Sequence, residues 1–424
     1  MAGRKGRPVD DDETSYVSDK DRTFRRLIAS GIGLLVIAVV GIFSVAVLGV
    51  GNPTPTPTVG VTVTPDDGVG EAADIGRSTV VSSTVQGALG SGGKYKGDWY
   101  ELYFTAPSYP DIKANHKGSL DQYLSAFIDT AQVSVDMAVY DFDLDNVAEA
   151  LVRAAGRGAR VRFVTDSDTM NNTKNVEVQN ALGKLRQANI PIVQDERKPI
   201  MHNKFTVVDN KVVATGSWNY TDGDTYHLNN NLIFIKLPQI AQNYTAEFEK
   251  MFVAKQFGAK KPAGVPNPQV TTNTGVLIEN YFAPEDGVAK RIVGKINGAQ
   301  SSIYFLAFSF TQDNIGNAIM AKVKNGLRVG GVFETTGSNT PFSEYGKMAK
   351  AGLEVYTDGN PWVMHHKVII IDERIVIFGS FNFSDNADKE NDENLLIVDD
   401  ENLARAFKTE YDRVLAVAKA KMKK

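Results

Sequence analysis

The pattern His-x-Lys-x4-Asp-x6-Gly-Ser-x-Asn occurs twice in this chain, first as His202, Lys204, Asp209, Gly216, Ser217 and Asn219, then as His365, Lys367, Asp372, Gly379, Ser380 and Asn382. Six fixed residues at one spacing in two places describe two equivalent half-sites. The spacing between the copies is far longer than a solenoid repeat, so a whole domain is built twice. Paired histidines flanked by lysines suit chemistry on an anionic phosphorus centre, which makes a phosphodiester the expected substrate.

The surroundings of the two motifs repeat as well. Tyr103-Phe104-x-x-Pro107 is echoed by Tyr281-Phe282-x-Pro284. The apolar runs 133–142 and 303–310 read as buried strands, and segments 146–155 and 314–323 carry apolar residues at helical spacing. Each then leads through Gly-x-Arg-Val into another apolar strand. Strand, helix, strand alternation predicts an α/β fold of two tandem lobes, each a mixed, mostly parallel sheet flanked by helices. The lobes span 98–254 and 276–424, separated by a linker rich in Pro, Gly, Asn and Thr at 255–275. With 424 residues the chain is long enough for two cores. It has no cysteine, which excludes disulfides, thiolate metal sites and cysteine nucleophiles together.

No charged residue falls between positions 27 and 50, a run long enough for a bilayer core of roughly 30 Å. It reads as one transmembrane helix, because a cleaved signal peptide has a shorter apolar core of about 7–15 residues. Arg22, Arg25 and Arg26 lie on its N-terminal side, and no Lys or Arg follows until Arg77. The positive-inside rule then makes 1–26 a cytoplasmic tail and puts the rest of the chain outside the cell membrane. Pro53-Thr54-Pro55-Thr56-Pro57-Thr58 opens a stalk, 51–97, whose Pro, Thr and Gly favour extended conformations without a core.

Each motif reads as a hairpin: 204–208, a turn at Asp209-Asn210, then 211–215; and 367–371, a turn at Asp372-Glu373, then 374–378. Alternation along a strand puts His202 beside Lys204 and His365 beside Lys367. Asp209 and Asp372, at the turns, complete each catalytic constellation in a structural or orienting capacity, since Asp there bonds backbone groups. Gly-Ser-x-Asn supplies hydroxyl and amide donors, so Ser217, Asn219, Ser380 and Asn382 are expected at the phosphoryl oxygens. Adjacent His365 and His366 point to opposite strand faces, and no metal site is expected. His116 and His227 read as surface or loop residues. Trp218, Tyr220, Phe381, Phe383 and Trp362 read as packing beside the strands.

These two motifs resemble those of the phospholipase D superfamily, which includes bilobal phospholipases, cardiolipin synthases and related endonucleases. The resemblance covers residues 98–418. It implies a two-step reaction without metal or other cofactor: one histidine attacks phosphorus, a phosphohistidine forms, and the other histidine protonates the leaving oxygen. By the usual assignment in bilobal relatives, His202 is the nucleophile and His365 the general acid, with Lys204 and Lys367 neutralising nonbridging oxygens. Asn391-Asp392-Glu393-Asn394-Leu395 resembles the family element whose acid orients a catalytic histidine, and Glu393 is that acid. The first half reads Asn229-Asn230-Asn231-Leu232, with Asn230 where the family often has an acid. If a neutral amide orients His202, that imidazole is less basic than its counterpart, which suits a nucleophile.

Ten basic and ten acidic residues precede position 98, so the rest of the chain keeps the whole net charge of −4. Enzymes that grip nucleic acid usually carry a basic excess. Tethering at a bilayer raises the effective concentration of lipid headgroups. Together these favour phospholipid headgroup hydrolysis by a monomeric body with one site at the lobe interface. An exported, metal-independent endonuclease, a phosphatidyltransferase of the cardiolipin-synthase type and, against the presence of both sets of catalytic residues, a non-enzymatic binding module are the alternatives.

Overall fold

Eight strands of the first half form one sheet and eight of the second half form another, in the same order. The computed structural model describes residues 93–423, all within one compact unit. The first half contributes β1 (Lys94–Lys96), β2 (Tyr100–Phe104), β3 (Ser134–Val139), β4 (Arg160–Thr165), β5 (Ile192–Gln194), β6 (Lys204–Val208), β7 (Val212–Gly216), β8 (Leu228–Asn229) and β9 (Asn231–Ile235). The second contributes β10 (Gln269–Thr271), β11 (Leu277–Ala283), β12 (Ser302–Ala307), β13 (Arg328–Phe333), β14 (Glu354–Thr357), β15 (Val363–Met364), β16 (Lys367–Ile371), β17 (Ile375–Gly379) and β18 (Glu393–Asp399). The orders are β1-β2-β9-β7-β6-β3-β4-β5 and β10-β11-β18-β17-β16-β12-β13-β14. The transmembrane run 27–50, the cytoplasmic tail and the stalk up to residue 92 lie outside the described residues. Among the described residues no helix is long and apolar enough to cross a membrane.

The expectation of mostly parallel sheets is corrected. Parallel pairing is confined to β3-β4-β5 and to β12-β13-β14, and every other neighbouring pair in the two sheets is antiparallel. Strand, helix, strand alternation covers only three strands per lobe. The motif hairpins are antiparallel by construction, and the strands that follow them, β9 and β18, lie antiparallel beside β2 and β11.

Local rules account for the repeated helices. Asp145–Gly156 buries Val147, Ala148, Leu151 and Ala154, one stripe of a 3.6-residue period. It stops where Gly158 takes φ 92° and the Ala159 N–H bonds the Ala154 carbonyl at 3.1 Å, a left-handed cap that glycine adopts without a Cβ penalty. Its counterpart Asp313–Lys324 stops the same way at Gly326, φ 84°. Outer apolar clusters form under these helices, one per lobe.

A third core joins the lobes. The helices Pro238–Phe252 and Glu401–Lys421 lie in it, with Phe205, Tyr244 and Phe248 from the first half packed in one cluster with Phe282, Phe378 and Phe407 from the second. Tyr244 meets Phe282 at 5.1 Å between ring centroids, and Phe104 meets Phe407 at 5.2 Å. The seam is sealed by backbone pairing as well. β8 pairs in parallel with β15, Asn229 opposite Met364, and Met201 bridges Asp392. Each motif histidine is thus the residue just after a contact with the other lobe.

Candidate active site

His202 and His365 are each held by a side chain from the opposite lobe. The His202 N–H bonds the Asp392 carbonyl at 2.9 Å, and its Nδ1 lies 2.7 Å from Glu393 Oε2. The His365 N–H bonds the Asn229 carbonyl at 3.1 Å, and its Nδ1 lies 2.9 Å from Asn230 Oδ1. The crossing follows from the seam: pairing Met201 with Asp392 sets His202 against Glu393, and pairing Met364 with Asn229 sets His365 against Asn230. The expectation that Asn230 orients His202 is therefore corrected. The amide serves His365, and the carboxylate serves His202.

Both lysines stand beside their histidines, as strand alternation requires. Lys204 Nζ donates to the His202 carbonyl at 2.9 Å; Lys367 Nζ donates to the His365 carbonyl at 3.1 Å and lies 2.7 Å from His365 Nε2. All four side chains are fully buried. Tyr140 and Phe308 occupy matching places, with ring centroids 5.3 Å from His202 and 4.8 Å from His365. His366 faces away, its Nδ1 at Asn231 (3.0 Å) and its Nε2 at Glu410 (3.0 Å), and burial lowers its pKa. Among the described residues no group of three or more His, Cys, Asp or Glu side chains is placed to hold a metal ion.

Ser217 and Ser380 have a different job from the one their sequence context suggested. Ser217 Oγ donates to Asn230 Oδ1 (2.8 Å) and accepts from the N–H (3.1 Å) and Nδ2 (3.2 Å) of Asn231. Ser380 Oγ donates to Glu393 Oε2 (2.6 Å) and accepts from the N–H (3.0 Å) and Nδ2 (3.3 Å) of Asn394. With donor and both lone pairs engaged, neither hydroxyl has capacity left for a phosphoryl oxygen. They fix the groups that fix the histidines. Gly216 and Gly379 make this possible, because a Cβ at either would collide with the carbonyl oxygen of Asn231 or Asn394. Asn219 and Asn382 each keep a buried Oδ1 without a partner, an acceptor that a phosphoryl oxygen cannot use, and Asn219 Nδ2 donates to Asp224 Oδ1 at 3.3 Å.

Asp209 and Asp372 do not join this centre. They sit at the hairpin turns, at the far end of β6 and β16 and roughly 20 Å of strand from their histidines. Asp209 Oδ1 accepts from the N–H groups of Val133 (2.7 Å) and Ser134 (2.9 Å), and Gln132 N–H reaches its Oδ2 at 3.1 Å. Asp372 does the same for Gln300, Ser301 and Ser302. Burial pulls both carboxyls up, but these backbone donors outweigh it and hold them below the usual carboxylate range. The motif aspartate is a clamp on the start of the neighbouring strand.

Three groups escaped the sequence reading. Asp224, on the short helix Asp222–Tyr226, is buried with Oδ1 3.4 Å from His365 Nδ1. Asp392 is buried in an ionic network with Lys261 (2.8 Å) and Arg197, and Lys261 also pairs Glu247. Asp111 bridges His116 (2.7 Å) and His227 (3.4 Å). Both histidines are partly buried and paired rather than plain surface residues, and His227 stacks on Trp362 at 4.2 Å. Only the repeat comparison around residue 230 carried a signal for the first of these. Trp218, Tyr220, Phe381 and Phe383 are buried in the lobe cores as expected.

Residues 124–252 and 292–415 each match the family model described as Cardiolipin synthase, PLD-like domain. The Phospholipase D of Rickettsia conorii is 35% identical over 130 residues, 31% of this chain and 65% of that protein. The Mitochondrial cardiolipin hydrolase of Homo sapiens is 32% identical over 129 residues, 30% of this chain and 51% of that one. The chain thus spans less than two thirds of the length of these curated relatives. The crystal structure of phosphatidylserine synthase from Haemophilus influenzae Rd KW20 shares the fold, with a TM-score of 0.54 at 13% identity over 70% of this chain and 85% of that one. One family model matching twice, once in each lobe and over more than half of the sequence, identifies this chain as a member of the phospholipase D superfamily with two PLD-like domains.

Proposed function

We propose that this protein hydrolyses phospholipid headgroups as a phosphodiesterase working through a phosphohistidine. The observation that carries the reading is the crossed pair: two buried histidines from separate lobes, each beside a lysine and each oriented through Nδ1 by the other lobe. Orientation through Nδ1 leaves Nε2 as the reacting nitrogen of each ring. His202 Nε2 attacks phosphorus, and the bond to the headgroup oxygen breaks as that oxygen takes the Nε2 proton of a protonated His365, Lys367 Nζ having turned from Nε2 to the nonbridging oxygens. Water then attacks the phosphohistidine, gives a proton back to His365, and releases phosphatidate and His202. Lys204 and Lys367 balance the charge on the nonbridging oxygens, and Asn219 and Asn382 have Nδ2 hydrogens to donate to them, one of those of Asn219 being held by Asp224.

His202 suits the nucleophile for a reason opposite to the one its sequence context suggested. A phosphorylated imidazole carries positive charge, and Glu393 lies against it. His365, whose direct partner is a neutral amide and whose nearest carboxylate, Asp224, stands off at 3.4 Å, is the stronger acid of the two. Support for lipid comes from the names of the relatives, from the acidic balance of the chain and from the uncharged run 27–50, which we propose as the anchor holding the enzyme at the membrane with its catalytic body outside.

Full-length protein presented with phosphatidylcholine or phosphatidylethanolamine vesicles should release free choline or ethanolamine, and His202→Ala should abolish it. Nicking of plasmid DNA without lipid turnover would replace the lipid reading with a nuclease. A transphosphatidylation product that dominates over phosphatidate would replace hydrolysis with transfer.

A further inference from the structure

The two halves of the site do not match in one respect: where each keeps its carboxylate. In the second half, Asn382 is followed five residues later by Ala387 and six after that by Glu393. In the first half, Asn219 is followed at the same spacings by Asp224 and Asn230. Residues 224 and 387 lie on equivalent short helices, Asp222–Tyr226 and Asp385–Lys389, capped by Thr221 and Ser384. The acid absent from the strand at 230 is present on the helix at 224, and the helix alanine at 387 faces a strand that has its glutamate.

We propose that Asp224 is the positioning carboxylate of the His365 half of the site, acting through Asn230 as Glu393 acts directly on His202. Asn230 Nδ2 donates to both the Asp224 carbonyl (3.2 Å) and Asp224 Oδ1 (3.2 Å), which turns Asn230 Oδ1 toward His365 Nδ1. That orientation requires the proton on Nδ1, so Nε2 is the nitrogen that exchanges a proton with substrate. Asp224 is itself pinned, with Oδ1 accepting from Asn219 N–H (3.2 Å) and Oδ2 from Thr221 Oγ1 (3.1 Å). Its Oδ1 lies 3.4 Å from His365 Nδ1, close enough for its charge to favour an imidazolium. The other charges around the pair are Lys204 and Asp141 at Asp224 and Lys367 at His365. Burial lifts the Asp224 carboxyl to about 7, so it sheds its proton in the range where an imidazole gains one.

This inference rests on the phosphohistidine reading, and its test is built to fail separately. On a phosphodiester with an alkoxide leaving group, Asp224→Asn should lower kcat by on the order of tenfold with KM little changed. Activity needs His365 protonated and is lost as pH rises through its pKa. Removing the carboxylate lowers that pKa, so the basic limb should move about one pH unit down. On a p-nitrophenyl diester, whose leaving group departs without a proton, the loss should be smaller, because His365 then serves only as the base in the water step. The double variant Asp224→Ala/Asn230→Glu rebuilds the arrangement of the second half and should restore the limb. Independently of turnover, the His365 ring in ¹⁵N-histidine-labelled full-length protein should titrate lower in Asp224→Asn, the signal being assigned by its loss in His365→Gln. A basic limb and a His365 titration unmoved by Asp224→Asn would overturn the proposal. Absence of turnover in wild type would overturn the reaction reading instead, with the titration still deciding the role of Asp224.

Discussion

At the scale of single residues, this site is governed by side chains that never meet the substrate. Ser380 uses all of its hydrogen-bonding capacity on Glu393 and Asn394. Ser380→Ala should therefore lower kcat about tenfold, the equivalent of one hydrogen bond to a charged group, while KM stays within about twofold. A serine that bound phosphate would raise KM instead, and steady-state kinetics on a soluble phosphodiester separates the two. The histidines, lysines and Glu393 were legible from the motif and its resemblance, because each has a fixed offset along one strand. The work of the serines was not. Gly-Ser-x-Asn names donors, whereas their partners are set by a close approach between strands that are thirteen or more residues apart in sequence.

At the scale of elements, the hairpin strands run where alternation put them, Lys204–Val208 and Lys367–Ile371, with turns at Asp209-Asn210 and Asp372-Glu373 whose four residues take φ between 51° and 55°. The sense of the sheet was misread because local periodicity identifies a strand without naming its neighbour. Asp209 ties the hairpin turn to the first residue of β3, so Asp209→Asn should destabilise the fold by on the order of 1–3 kcal/mol near neutral pH. The folded carboxyl is depressed, so its contribution is full above the unfolded pKa of about 3.9 and is lost as pH falls through the lower folded value. Denaturant unfolding of wild type and variant should then differ at pH 7 and converge toward pH 3. A gap that does not shrink as pH falls below about 4 would mean that charge plays no part in the clamp.

At the scale of the whole molecule, duplication was legible from the repeat, but the exchange of partners between lobes was not. Two copies of one pattern look the same whether Glu393 serves its own histidine or the other one. What decides is the interlobe pairing of Met201 with Asp392 and of Met364 with Asn229, which no periodicity encodes. The buried network behind Glu393 should then matter to stability. Lys261→Met removes the cation shared by Asp392, Glu247 and Glu285, which keep only Arg197 and Lys250 between them, and should cost about 3 kcal/mol. Burial and the charge of Glu247 already lift Glu285 to about 7, and acid relieves carboxylates that outnumber their cations, so the loss should be larger at pH 8 than at pH 5 in denaturant melts. The crossed site itself is tested most directly by quenching the full-length enzyme during turnover of a ³²P-labelled phosphodiester and mapping the labelled residue. Label on His202, building up in His365→Asn and absent from His202→Asn, is the expected result. Label on His365, or turnover that survives the loss of either histidine, would contradict it.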